Sequence, residues 1–288
     1  MSTSVGRTHS ASGSRDLSDQ SQSSGDRNSR ADTESEDQPS TSGSVGETAA
    51  DINALSVAIE IVSGIPCRYK FRSLSSFSKN YPLPPSYYVR LPESTDRICF
   101  PREGEIGVYM KNFSLGLRFP LHPSIVSILR FLGIPIAQMP PNSLGLIVAF
   151  TSLCYFAGVV PSISVFRYFF RKFVHPEGGW VGVSARNRRK LLKTNTSNKN
   201  WKDGFIFIGC LGGFPFPSTF NIMNPEASWT VQLTEEEEED VQTLLNVPGE
   251  LRDVDFLVEE DQLFEAKICL LRRKNPLLVG SRTSFLIL

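Results

Sequence analysis

A strongly basic run lies between two apolar segments in the C-terminal half of the chain. Residues 186–202 read RNRRKLLKTNTSNKNWK and contain seven basic residues, no acidic residue and one tryptophan. Lys and Arg neutralise nucleic-acid phosphates, and a tryptophan ring can stack on an unpaired base. The run therefore predicts a phosphate-binding surface without sequence preference, formed by Arg186, Arg188, Arg189, Lys190, Lys193, Lys202 and Trp201. The alternative is a solvated loop, or a loop docked on the acidic run at 235–240.

Catalysis on DNA would need several carboxylates that converge on two metal ions. The central region has few acidic residues, and none ends an apolar strand with a second one at a suitable distance: Glu93, Asp96, Glu103, Glu105, Glu177 and Asp203. Asp203 precedes an apolar run, but Lys-Asp-Gly is typical of a turn. The sequence has no Cys/His cluster for zinc and no phosphate-binding glycine loop. We therefore predict no catalytic residue, metal or cofactor, with a transposase-like enzyme acting on DNA as the alternative.

Isolated histidines and serines in the central region have simple structural interpretations. His122 precedes an expected helix and His175 follows one, and a single histidine without a partner indicates no active site. Ser143 and Ser162 stand where helix caps belong.

Composition indicates an intracellular protein and leaves the nucleus and the cytoplasm open. The chain has 288 residues, with 30 basic and 30 acidic ones, so overall charge indicates no partner. Its 5 cysteines are far apart and form no C-x-x-C pair, which is typical of reduced thiols. Residues 1–48 are polar and carry no signal-peptide pattern, and we expect them to be a disordered tail.

The stretch from Phe131 to Phe166 contains no charged residue and must be shielded from water. Prolines divide it, and its longest uninterrupted piece is shorter and more polar than the roughly 20 apolar residues of a bilayer crossing. We therefore predict buried helices and no membrane contact. A membrane-associated protein, crossing through 142–160, is the alternative.

Hydrophobic spacing and capping residues predict a mainly helical α+β domain with a small antiparallel β element. Strands are expected at Trp180–Ala185 and Phe205–Gly209, because both runs are short, apolar and bounded by turn residues. The chain over 74–101 is expected to be extended and irregular, and 247–288 an irregular or truncated tail. One domain over about 50–246 is predicted. Helices are expected at 51–62, from Ile106 to Phe113, from Pro123 to Leu132, over 142–157 and over 234–245. A further helix is expected to begin at Pro161, to include Phe170 in the core, and to carry Arg167, Arg171 and Lys172 in its last turn.

Six short motifs occur in a fixed order along the middle of the chain. They are LPPSYYVRLP at 83–92, GLRFPLHP at 116–123, QMPPNS at 138–143, VFRYFF at 165–170, GGW at 178–180 and WKDGFIFI at 201–208. This order resembles the gypsy-type transposon domain, also labelled a transposase, of plant retrotransposon-like open reading frames, and the resemblance covers roughly 73–220. It implies a mobile-element origin and brings no catalytic residue set. We therefore predict a non-catalytic module that binds nucleic acid or takes part in assembly, with self-association as a further possible partner interaction.

Overall fold

The computed structural model of the protein describes residues 49–69, 74–176, 178–194, 198–222 and 229–271. The predicted disordered tail at 1–48 and the end of the chain from 272 lie outside the described residues. The helices are α1 (Ala49–Ser63), α2 (Leu74–Asn80), α3 (Met110–Ser114), α4 (Pro123–Leu132), α5 (Pro141–Ala157), α6 (Ile163–Phe169), α7 (Glu235–Asn246), α8 (Val254–Leu257) and α9 (Glu260–Glu265). The strands are β1 (Tyr87–Arg90), β2 (Glu105–Tyr109), β3 (Phe170–Val174), β4 (Val181–Ala185) and β5 (Phe205–Cys210).

Helix α5 is the centre of the core, as its lack of charge predicts. Its residues from Ser143 to Cys154 are all buried, and the helix contacts α3, α4, α7, α8 and β4. Gly158 ends α5 with a left-handed φ of 71°, a conformation that glycine adopts without strain. Within the described ranges, no helix has both the length and the hydropathy that a bilayer crossing requires. The α+β class with a dominant helical part is confirmed.

A three-stranded antiparallel sheet in the order β1-β5-β2 separates two apolar clusters. Successive side chains of a strand point to opposite faces, so Ile206 and Ile208 enter the main core while Phe205 and Phe207 enter the second cluster. The second cluster also contains Trp180. Burial on both faces explains why the β5 sequence is continuously apolar and shows no alternation with polar residues.

Two strands of this sheet differ from the sequence prediction. Residues 106–109, expected in a helix, lie in β2, and the helix α3 begins only at Met110. The apolar spacing over 106–113 fits a helical face, but the backbone of β2 is paired with β5 in a register from Glu105↔Gly209 to Tyr109↔Phe205. The irregular path expected over 74–101 contains the helix α2, and it likewise includes β1. Both β1 and β2 form by pairing with β5, which lies about a hundred residues away in the chain, and no local sequence pattern indicates such a distant partner.

The second sheet is a hairpin of β3 and β4, and it also corrects the prediction. The expected helix through Phe170 ends at Phe169, and Phe170–Val174 pairs with Val181–Ala185. Gly178 and Gly179 form part of the connection with φ values of 73° and 77°. The strands predicted at 180–185 and 205–209 both exist, but they lie in different sheets.

Most of the predicted helix signals are confirmed. The imidazole of His122 caps α4, with Pro123 at its first position and Gly133 behind it, and the Ser162 hydroxyl caps α6. Thr234 and Glu237 form the predicted capping box of α7. Ser143 is not a cap, because α5 begins at Pro141 without a side-chain cap and the Ser143 hydroxyl bonds to β4 instead.

The packed core continues beyond residue 246, where the sequence predicted the domain to end. Val254, Leu257, Leu263 and Ile268 all belong to the main apolar cluster. The part of the expected tail up to about Cys269 therefore contributes to the same core as α5.

Candidate nucleic-acid interface

Two buried leucines divide the basic run predicted to bind phosphate. Leu191 and Leu192 are 3% and 1% exposed and belong to the main core. Before them, Arg186–Lys190 forms a tight turn in which the Arg189 N–H donates to the Arg186 carbonyl at 3.2 Å. The single loop expected from the sequence is therefore two separate segments. The apolar Leu-Leu pair inside a basic run was the available sequence signal for this division.

Arg186 joins the start of this turn to two other parts of the fold. Its Nε donates to the carbonyls of Arg167 and Phe170 at 3.2 and 3.1 Å, and its Nη2 donates to the Trp229 carbonyl at 2.7 Å. These acceptors are neutral, so they hold the guanidinium in place without cancelling its charge. Arg186 therefore has a fixed orientation and stays cationic.

Positive charge from α6 and β3 converges on the same place. Burial and the nearby charges of Arg189, Arg171 and Arg167 lower the pKa of Arg186 below its ordinary value. Arg171 is exposed on β3, whereas Arg167 is half-buried, lies over the Phe131 ring and donates to the Thr230 carbonyl. We call Arg171, Arg186, Arg188, Arg189 and Lys190 the basic patch. Sequence reasoning missed Arg171, because it assigned that residue to the last turn of a helix.

The basic patch has no carboxylate partner within the described residues. Ion pairs in this part of the chain join Arg90 to Asp96 and to Glu105, Arg102 to Glu93, and Lys193 to Asp253. None of these pairs includes the patch, and none joins the basic run to the acidic residues at 235–240. Lys193, predicted as a site residue, instead has its ammonium 3.3 Å from the Asp253 carboxylate.

Trp201 and Lys202, the remaining predicted site residues, lie against the second apolar cluster. The Trp201 ring packs edge-to-face on Tyr109 at 4.7 Å and on Trp180 at 5.2 Å between ring centroids. The Lys202 ammonium lies 4.2 Å from the Trp180 ring centroid. Both residues therefore take part in the packing around buried Trp180.

Three of the carboxylates considered for catalysis, Glu105, Asp96 and Asp203, have structural roles, whereas Glu177 lies outside the described residues. The Arg90 guanidinium bonds to both oxygens of buried Glu105 and to Asp96 at 2.5 Å. Asp203 ends a short 3₁₀ helix and its carbonyl accepts from the Arg68 N–H, which agrees with the turn predicted there. Among the residues that the structure describes, no group of three His, Cys, Asp or Glu side chains could hold a metal ion.

The fold and the patch together define an α+β domain that presents unpaired arginines beside a two-stranded hairpin. A family model described as "putative gypsy type transposon" matches residues 108–173, from the end of β2 to the penultimate residue of β3. The resemblance predicted from the motifs is confirmed for this segment. The match includes Arg171 but ends before the turn at Arg186–Lys190. No curated protein and no solved structure shows a significant match to the chain.

Proposed function

We propose that this protein derives from a mobile element, as the family match over residues 108–173 suggests, and that it is a non-catalytic module that binds the phosphate backbone of nucleic acid through the basic patch. The observation that carries the proposal is the convergence of Arg171, Arg186 and Arg189 from two segments of the chain. Like charges repel, so such a cluster is favoured when a polyanion neutralises it. Guanidinium groups also match phosphate oxygens with two parallel donors.

The proposed binding is independent of base sequence. The patch lies on the end of a hairpin and a tight turn, and the exposed cationic side chains of the turn are Arg188, Arg189 and Lys190. Contacts from such side chains to phosphate fix position on a nucleic acid but carry no sequence information. If about four phosphates are neutralised, the logarithm of the binding constant falls with the logarithm of salt concentration with a slope of roughly −3 to −4.

A salt titration with a labelled DNA of mixed sequence tests this proposal. Replacement of Arg188, Arg189 and Lys190 by Ala should make the slope shallower by about 2 to 3, because three phosphate contacts are removed. A matched control replaces three exposed cations outside the patch, Arg68, Lys79 and Lys199, with the same change in net charge. An unchanged slope in the patch variant, or an equal loss in the control, would contradict the proposal.

The same samples distinguish a binding module from an enzyme. Incubation of the complex with Mg²⁺ should leave the DNA neither cut nor joined, because Glu105 and Asp96 are paired with Arg90 and no three described carboxylates converge as a metal site. Metal-dependent cleavage that Asp203→Ala abolishes would contradict the non-catalytic part of the proposal. Sedimentation of the protein without DNA tests the predicted self-association independently.

A further inference from the structure

We infer that the basic patch binds the backbone of a nucleic-acid duplex in preference to a single strand, an inference that rests on the proposed function. A single-strand site combines cations with aromatic rings that are free to stack on bases. A duplex keeps its bases stacked on one another and presents phosphates to the protein. The aromatic rings of this region and the spacing of its charges both favour the duplex.

The Trp201 ring, which the sequence predicted to stack on a base, is in contact with other side chains of the protein. Tyr109 and Trp180 meet it edge-to-face, His175 lies 6.2 Å away between ring centroids, and the Lys202 ammonium lies 5.5 Å from the ring centroid. Trp201 is half-buried, and these contacts make its ring part of the packing of the second apolar cluster.

The rings next to the patch are also covered. The Arg189 guanidinium lies over the Tyr168 ring at 4.2 Å, so the arginine covers the face that a base would need. The Trp229 ring packs on Phe131 at 6.0 Å and on Phe166 at 6.4 Å between centroids. Its carbonyl accepts from Arg186, which fixes this tryptophan against the core.

The compact arrangement of positive charges in the patch fits a duplex better than a single strand, because the phosphates of a duplex are more closely spaced. Arg167, Arg171 and Arg189 are all close enough to Arg186 to lower its pKa; Arg167 lies on α6, the hairpin holds Arg171, and the turn holds Arg189. A duplex presents one charge about every 1.7 Å along its axis, whereas one strand presents one about every 3.4 Å. A small rigid cluster therefore reaches more phosphates on a duplex than on one extended strand.

The test compares the full-length protein on a mixed-sequence DNA duplex and on one of its two strands, at equal phosphate concentration. The slope of the logarithm of the binding constant against the logarithm of salt is about −0.9 per phosphate for a duplex and about −0.7 for a single strand. With about four phosphate contacts, the two slopes therefore differ by about 0.8. Between about 1 M and 0.05 M salt the ratio of duplex affinity to strand affinity should therefore rise about tenfold. Equal or tighter binding of the strand would overturn the inference. Binding of neither probe would overturn the proposed function itself.

Two ring variants provide a second readout. Tyr168→Leu and Trp201→Phe should leave the ratio of duplex to single-strand affinity within about twofold of the wild-type ratio, because neither ring touches a base. Thermal melting confirms that each variant is folded before it is titrated. A selective loss of single-strand binding by about tenfold in Tyr168→Leu would show that the ring stacks on bases and would overturn the inference. A duplex RNA of the same sequence should bind as the duplex DNA does, because the recognised group is the phosphate.

Discussion

The Ser143 hydroxyl makes two hydrogen bonds to the backbone of Val183. It donates to the Val183 carbonyl at 2.9 Å and accepts from the Val183 N–H at 3.1 Å. Ser143 lies in the first turns of α5 and Val183 lies in the middle of β4, so one side chain joins the central helix to the hairpin. Gly182 makes this approach possible, since a Cβ there would stand 2.3 Å from the hydroxyl oxygen.

Ser143→Ala should destabilise the domain by about 1–3 kcal/mol, because it leaves a buried N–H and a buried carbonyl without a partner. Ser152 offers a matched control on the same helix. It is fully buried, and its hydroxyl has no hydrogen-bond partner in the described part of the protein. Ser152→Ala should therefore be neutral or stabilising. Urea denaturation of both variants measures the difference, and equal midpoints would contradict the role assigned to Ser143.

Phe166→Asp should prevent folding. Phe166 is fully buried between Phe150 and Phe170, whose ring centroids lie 5.5 and 4.9 Å from its own. An unpaired carboxylate there costs several kcal/mol, which is on the order of the whole stability of a domain. Val160→Asp is the control, because Val160 is 80% exposed just beyond α5. Circular dichroism and gel filtration should show an unfolded or aggregated Phe166→Asp and a native Val160→Asp.

The main effect of Trp201→Ala should be a loss of stability of the domain and not a loss of nucleic-acid binding. The variant loses the edge-to-face contacts with Tyr109 and Trp180, and we expect a destabilisation of about 3 kcal/mol. Phe100→Ala, at an aromatic side chain that is 57% exposed, should change stability little. The midpoints of urea denaturation of the two variants measure these changes in stability. A Trp201→Ala protein as stable as the wild type, with weakened binding, would restore the stacking role predicted from the sequence.

His122 should make stability depend on pH in the mildly acidic range. Burial lowers its pKa below the ordinary value of 6.5, and its Nδ1 accepts from the Ser124 N–H at 3.3 Å. The unfolded chain therefore binds a proton as the pH falls through 6.5, while the folded state resists protonation. This residue's contribution to stability is constant above 6.5 and falls below it.

His122→Asn keeps a capping acceptor but does not titrate. Urea midpoints at pH 7.5 and 5.5 should therefore differ less for this variant than for the wild type. An identical pH dependence in the two proteins would mean that His122 titrates at its ordinary value in the folded state.

The sequence predicted what local chemistry decides. The αL glycines Gly133 and Gly158, the proline at the start of α4 and the box of Thr234 and Glu237 each act within one turn of chain. Strands β1 and β2 were not predicted because their partner β5 is distant in sequence. The residues of β2 and β3 also fit a helical spacing equally well. Ser143 illustrates the same limit, since a capping position and a tertiary contact look alike in one sequence.

The candidate interface was predicted in part for the same reason. Charge alone identified Arg188, Arg189 and Lys190, which the structure leaves exposed on one turn. Arg171 reaches the patch only because β3 pairs with β4 and thereby brings it near Arg186. Lys193 leaves the patch because Asp253, sixty residues later, pairs with it.

The turn from Arg186 to Lys190 is fixed at both ends, by the pairing of Ala185 with Phe170 and by the burial of Leu191 and Leu192. Arg188 and Lys190 make none of these contacts, so their identity is free to vary while the scaffold persists. A mutational path can therefore change this surface from basic to acidic without passing through an unfolded protein. Such independence of surface charge from packing makes the turn a site where new partners can be acquired, in evolution or by design, at little risk to the fold.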